Sequence, residues 1–339
     1  MLLLSRHATL PLNALPRISI ITPSFNQGEF LEQTIDSVLS QNYPNLEYMI
    51  IDGGSTDQSV DIIRKYEKHL HYWVSEPDKG QSDAINKGFR HATGQVINWL
   101  NSDDYYEHGA LRIVGERFRN PETNVFGGVS VIFNSEGELY RSRGTDLYPG
   151  NLAKTIGLAR IDQPETFFRK KCLEKMGPLN TSFHYLMDRD LWIRYLFAFG
   201  LSGIERDNTL LVHFRLHSES KTVSQQKSFK QEHINYYYTL CTLCGLTEQA
   251  ALIKKLWPCE ILPLDYHPDQ SITEKALPYF FARMADECYQ NNDRLRTREI
   301  LNHITLDELD DQYRALVQKL SFRNQYIPLW LLRALRSLG

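Results

Sequence analysis

The chain has 339 residues, 42% apolar and 23% charged, with 38 Lys and Arg against 41 Asp and Glu for a formal net charge of −3. That composition excludes wholesale disorder and a multi-span membrane protein, and the near-balance of charge excludes a nucleic-acid binder that works through a broad basic field. The length suits one α/β domain of roughly 200 to 250 residues with a smaller module beside it.

Residues 1–16 (MLLLSRHATLPLNALP) hold too short an apolar run for a signal peptide or membrane span and read as an N-terminal extension. From 17 to 100, short apolar runs alternate with amphipathic stretches, the pattern of βαβ units that build a parallel sheet. RISIIT (17–22) predicts a buried strand closed by Pro23, and Leu31, Ile35, Val38 and Leu39 fall on one face of the helix that follows. LEYMII (46–51) is the next strand; Ser55 and Gln58, spaced as a capping box, then open a helix with Ile62, Ile63, Tyr66 and Leu70 on its apolar face. HYWVS (71–75) predicts an edge-like strand, SDAINKGFRHA (82–92) a helix and QVINWL (95–100) a fourth strand, with a further helix beginning near Glu107. A hairpin is expected over 125–133 and 138–143, a strand over 163–169, a helix from near Asp188 with Leu191, Tyr195 and Phe199 at four-residue spacing, and a last strand over 209–216.

From about 225 the strand signal stops and helical stretches such as 228–243 and 306–320 predict a helical C-terminal region, 225–339. Five scattered cysteines suit reduced thiols and a cytoplasmic chain; Cys241 and Cys244 are spaced C-x-x-C, but no second ligand pair completes a zinc site. The segment 321–339 carries Arg323, Arg333 and Arg336, no acid, and Trp330 among leucines. It suits a basic amphipathic helix lying on the inner face of a membrane, and equally a terminal helix docked on the body.

Ligands of open α/β sheets sit beyond the carboxyl ends of the strands, which directs attention to Ser24–Asn26, Asp52–Asp57, Glu76–Asp83 and Asn101–Asp104. Asp103 and Asp104 follow an apolar strand, where adjacent carboxylates call for a hard divalent cation with phosphate oxygens, or else cap a helix N-terminus. Asp52, beside Gly53 and Gly54, can accept from a ring N–H of a base or simply form a turn, and Lys79, Gly80 and Asp83 offer a third polar loop. Asp188 and Asp190 open an amphipathic helix, as general base or as acids favoured by its dipole; His217 follows the last strand, as metal or phosphate ligand or as a structural histidine.

The ordered set ITPSFNQGEFLEQTIDSVLSQNYPNLEYMIIDGGSTD, DKGQSDAINKGFRHATG, WLNSDD, MDRDLWIR and FRLHSESKT resembles glycosyltransferase family 2, over about 17–222. The resemblance implies a GT-A fold, Rossmann-like and mostly parallel with flanking helices, in a catalytic domain 17–224. It implies an inverting transfer of a hexosyl or N-acetylhexosaminyl group from a nucleotide-sugar, UDP being the commonest nucleotide, to a glycan or lipid-linked acceptor in cell-surface polysaccharide synthesis. Nucleotide-sugar binding would draw on Pro23, Ser24, Asn26, Asp52, Gly54, Lys79, Gly80, Asp83, Asn101, Ser102 and Asp103. Mn2+ or Mg2+ would rest on Asp103, Asp104 and His217, and Asp188, with Asp190 as second candidate, would be the base. Two departures stand out: Asn101 occupies the place of the first acid in the family's D-x-D motif, and Met187 that of the glutamate in its Glu-Asp motif. The rival readings are a sugar-nucleotide pyrophosphorylase, for which TPSFNQG lacks a basic triphosphate loop, and a sugar-binding scaffold without turnover.

Overall fold

The computed structural model describes residues 15–218 and 220–327. The chain divides into two compact units, one of 1–145, 161–191 and 202–226 and the other of 146–160, 192–201 and 227–339.

The first unit is built on one sheet whose strands are β1 (Ile18–Ser24), β2 (Leu46–Asp52), β3 (Tyr72–Ser75), β4 (Val96–Trp99), β5 (Tyr105–Tyr106), β6 (Val125–Asn134), β7 (Gly137–Arg141), β8 (Thr166–Arg169) and β9 (Ile204–Arg215). They lie in the order β3-β2-β1-β4-β8-β6-β9-β5, with β7 hairpinned onto β6. Strands β1 to β4 are mutually parallel, as expected of sequential βαβ units, with β3 at the edge. The second half of the sheet is mixed: β8 runs antiparallel to both β4 and β6, while β9 pairs parallel with β6. Two reversals restore the original direction, so β6 and β9 end on the same sheet edge as β1 to β4. That topology carries the residues after β9, which are distant in sequence, to the loops after β1, β2, β3 and β4.

Helices α1 (Gly28–Leu39), α2 (Ser59–Tyr66), α3 (Gln81–His91), α4 (Ala110–Arg117) and the start of α7 (Met187–Phe199) serve this unit; α5 (Leu152–Gly157) lies in the second unit and α6 (Lys170–Met176) follows β8. Leu31, Ile35 and Val38 are fully buried with Ile18, Ile20, Tyr48, Ile50 and Ile63 in the sheet core, as their periodicity requires.

Three sequence expectations are corrected here. Pro23 does not close β1: Leu100 N–H bonds Ile21 O, and β4 ends opposite Ile21, so the missing N–H of Pro23 points to a side with no partner strand. Ser55 and Gln58 form no capping box; Asp57 instead accepts from Ser59 N at 2.9 Å and from Gly28 N at 2.9 Å. The helix expected near Glu107 begins at Ala110, because the two-residue strand β5 first pairs with β9.

After α8 (Lys221–Ser224), which closes the first unit, the second unit holds α9 (Gln226–Leu243), α10 (Thr247–Leu256), α11 (Gln270–Gln290), α12 (Arg294–Leu301) and α13 (Asp311–Tyr326). Two segments outside the predicted helical region, 146–160 and 192–201, cluster with these helices. Gly157 lets α5 close on α11, since a Cβ there would collide with Ala276 O. The buried Lys154 donates to Asp310 at 2.7 Å and Gln312 at 2.9 Å between the rings of Tyr148 and Tyr313. All five cysteines are free thiols, and Cys244 bonds Thr273 Oγ1. Of the segment 321–339, residues 328–339 lie outside the described residues; 321–326 end α13.

Candidate active site

Five chain segments meet at the carboxyl edge of the sheet, each hydrogen-bonded to the next. The loop after β1 turns at Asn26, which takes a left-handed φ of 51°. Asn26 N donates to Ser55 Oγ at 2.7 Å and its Oδ1 accepts from Thr56 N at 2.9 Å, which ties this loop to the one after β2. Phe25 stands exposed here, and Ser24 Oγ is buried with no hydrogen-bond partner.

Asp52 ends β2 and is fully buried. Its Oδ2 accepts from Gly54 N (3.1 Å), Ser55 N (2.9 Å) and Ser75 Oγ (2.7 Å), and its Oδ1 from Ser55 Oγ (2.5 Å). Four donors surround the carboxylate, so in this structure Asp52 organises the loop. The adjoining glycines serve protein contacts: a Cβ on Gly53 would meet the Asp78 carboxylate at 2.6 Å, and Gly54, at φ 83°, lies against Pro77. The loop after β3 thereby packs on the loop after β2.

Beyond Asp78, Gly80 has φ 109° and its N–H donates to Asp78 Oδ1 at 2.7 Å, while Lys79 N donates to Asp83 Oδ2 at 3.2 Å. The Lys79 residue is exposed. Gln81 then reaches Asn101 Oδ1 at 2.8 Å, joining this loop to the one after β4.

The 101–104 loop is held from α1, where Thr34 Oγ1 donates to Ser102 O and Asp104 O at 2.9 and 2.7 Å. The two adjacent acids diverge. Asp104 is turned inward and 1% exposed; its Oδ1 accepts from Arg215 N at 2.9 Å. Burial, reinforced by the Asp103 charge, pushes its carboxyl well above the usual range. Asp103 faces the site, and its Oδ2 lies 3.0 Å from His217 Nε2. A carboxylate oxygen and an imidazole nitrogen side by side are donors that can share a divalent cation. Among the described residues no group of three His, Cys, Asp or Glu could hold a cation by itself, so such an ion would take its other ligands from diphosphate and water.

Asp188 opens α7, and its Oδ1 accepts from Arg189 N at 2.7 Å. Burial pushes its carboxyl up to about 6, against the opposing charge of Arg189. Asp162 adds to that rise and also to the rise of Glu165, whose carboxyl burial pushes to about 8 while Ser142 and Ser130 donate to Oε1. Glu165 in turn raises Asp104. Asp103, Asp104, Glu165, Asp162 and Asp188 thus form a chain of carboxylates, each in electrostatic reach of the next. Asp190 is 1% exposed, with its N–H bonded to Leu186 O at 2.8 Å.

A family model described as Glycosyl transferase family 2 matches residues 19–184. An uncharacterized glycosyltransferase of Mycobacterium tuberculosis is 31% identical over 185 residues, 53% of this chain and 68% of that protein. The chain belongs to glycosyltransferase family 2. The putative teichuronic acid biosynthesis glycosyltransferase TuaG of Bacillus subtilis is 38% identical over 99 residues, 28% of this chain and 39% of that protein. The chain spans 66% of the length of the Rickettsia typhi glycosyltransferase that it matches. A crystal structure of residues 1–349 of S. aureus TarS in complex with UDP-GlcNAc superposes with TM-score 0.55 at 14% identity, covering 91% of this chain and 89% of that one. The fold of this family 2 chain is accordingly GT-A. The family match ends at 184, so Asp188, Arg215 and His217 lie beyond it; the topology and contacts of β9 carry Arg215 and His217 to the 103–104 loop.

Sequence reading missed Thr34, Ser75, Glu165 and above all Arg215. A signal existed for the last: His213 and Arg215 alternate along the last strand and so share a face, with His217 two residues further on.

Proposed function

We propose that this chain is an inverting glycosyltransferase that moves a sugar from a nucleotide-diphosphate donor, a UDP-sugar in our reading, to a hydroxyl of a glycan or lipid-linked acceptor. The observation that carries the proposal is the 3.0 Å approach of Asp103 to His217 across 114 residues of sequence; our reading adds Asp188 to them as the base. A divalent cation, Mn2+ or Mg2+, held by Asp103 and His217 would supply charge neutralisation for the leaving diphosphate. Asp104 supports that pair from behind by fixing the loop to Arg215 N.

Asp188 takes the proton of the acceptor hydroxyl as its oxygen bonds to the anomeric carbon; the bond from that carbon to the diphosphate breaks, and the nucleotide diphosphate leaves. A carboxyl near 6 is ionised at neutral pH yet basic enough to accept that proton. The loops carrying Ser24, Asn26, Asp52, Gly54, Lys79, Gly80, Asp83, Asn101 and Ser102 form the donor side, and their mutual hydrogen bonds pre-organise it at little cost on binding. Asp190 is the second candidate base. The UDP-GlcNAc complex of a protein of the same fold and the teichuronic acid biosynthesis role ascribed to TuaG support a UDP-sugar donor and a cell-surface polysaccharide product. Among the described residues no helix is long and apolar enough to cross a membrane. Peripheral contact on the cytoplasmic side through the basic, leucine-rich 321–339 is the reading we favour for reaching a lipid-linked acceptor.

The test is a panel of UDP-sugars with and without Mn2+, read by release of UDP and by melting temperature. Metal-dependent UDP release that EDTA abolishes is expected. Consumption of sugar phosphate and nucleoside triphosphate, or binding with no turnover on any acceptor, would overturn the assignment.

A further inference from the structure

Arg215 contacts both residues of the Asp103-Asp104 pair, one through its backbone and one through its side chain, and its contacts come from three elements. Its backbone N–H donates to Asp104 Oδ1 at 2.9 Å, its Nε to Asp103 O at 2.9 Å, and its terminal nitrogen to Gln33 Oε1 at 2.5 Å. The guanidinium is sandwiched between two aromatic rings, 4.7 Å from the centroid of Phe30 and 4.6 Å from that of Phe133. Phe133 is its direct cross-strand partner in the β6–β9 pairing. Phe30 also packs on His217, with ring centroids 4.9 Å apart. Phe30, Gln33 and Thr34 lie on one face of α1, the face that grips the loop.

Building on the metal-assisted reading of the site, we infer that Arg215 is a positioning residue that sets the separation of Asp103 and His217, so that the pair receives a divalent cation and the diphosphate together. Arg215 holds the Asp103 carbonyl and the Asp104 carboxylate from one residue, and β9 continues from it directly into His217, so both halves of the ligand pair hang from a single anchored point. The Phe30 ring touches the guanidinium on one side and the imidazole on the other, fixing the second half of the pair to the same plate. Only a planar guanidinium satisfies these contacts. A lysine ammonium has no flat face to fill the slot between two rings and no Nε–H to direct at Asp103 O while still reaching Gln33. A residue that merely kept the strand in place would not need the charge, the plane and the fork at once.

The test compares wild type with Arg215→Lys and Phe133→Leu, using Mn2+ and UDP as probes. Mn2+ affinity is read from the free-ion signal in paramagnetic resonance, with and without UDP, and melting temperature is recorded alongside. Arg215→Lys should weaken Mn2+ binding in the presence of UDP by at least about tenfold, the range expected when a group that orients a metal ligand is altered. UDP-sugar turnover should recover at saturating Mn2+, raising the metal requirement more than it lowers kcat. Phe133→Leu removes one face of the slot and leaves every hydrogen bond, so a smaller loss in the same direction is expected. Wild-type Mn2+ affinity in Arg215→Lys overturns the inference; if that variant does not fold, wild-type affinity in Phe133→Leu overturns it. A wild-type chain that binds neither Mn2+ nor UDP refutes the functional reading itself, a result distinct from variants that bind as wild type does.

Discussion

Replacing Asp188 by Asn should remove activity and at the same time stabilise the protein. The carboxyl titrates near 3.8 in an unfolded chain and is pushed up to about 6 by burial in the folded one. The folded state therefore binds the proton more tightly than the unfolded state. Folding stability is greatest while the group is protonated in both states, falls as pH rises from about 4 to 6, and stays reduced above that. The difference between the two values corresponds to a cost of at most about 3 kcal/mol at neutral pH. Asp188 is only partly buried, and solvent at its open side lowers that figure. Asn keeps the acceptor oxygen for Arg189 N and has no charge to desolvate, so the cost disappears while the shape remains. Chemical denaturation at pH 7.5 and pH 4 gives the reading: Asp188→Asn should exceed wild type at pH 7.5 and match it at pH 4. Transfer should fall by about 10²- to 10⁴-fold, the range for loss of a general base, and UDP binding should persist. Wild-type activity would remove Asp188 from the role, and a loss of stability at pH 7.5 would refute the electrostatic argument.

Asp103→Asn and His217→Ala should each weaken Mn2+ binding and raise the metal concentration for half-maximal turnover, measured by Mn2+ titration; unchanged titration curves would exclude the pair as ligands. Glu165→Gln should gain stability over wild type as pH rises from about 4.5 to 8, because over that range the wild-type carboxyl ionises in the unfolded chain while burial holds it protonated in the folded one until about 8; a constant difference across that range in denaturant titrations would contradict this. Gly157→Val should destabilise the helical unit by about 2 kcal/mol or more through its collision with Ala276 O and Tyr279, seen as a lower melting temperature, and a neutral result would show that α5 can move away from α11.

The sequence by itself determined the features that depend on neighbours in the chain. Apolar runs and 3.6-residue periodicity placed β1 to β4 and the helices between them, and the rule that ligands gather at strand ends pointed to the loops holding Ser24, Asp52, Gly80 and Asp103. Ser55 illustrates the limit of that logic. Its spacing from Gln58 suggested a cap, yet its hydroxyl serves Asp52 and Asn26, partners that a linear pattern cannot reveal. The pair Asp103-Asp104 is a second case: one dipeptide read as a single metal motif, which the fold separates into a carboxylate facing His217 and one buried against Arg215 N. Only the tertiary structure decided these matters, because burial and opposing charge arise from residues that approach in space. Two antiparallel reversals at β8 return β9 to the edge where β1 to β4 end, and that turn of topology brings Arg215 and His217 to an acid 112 and 114 residues earlier in the chain.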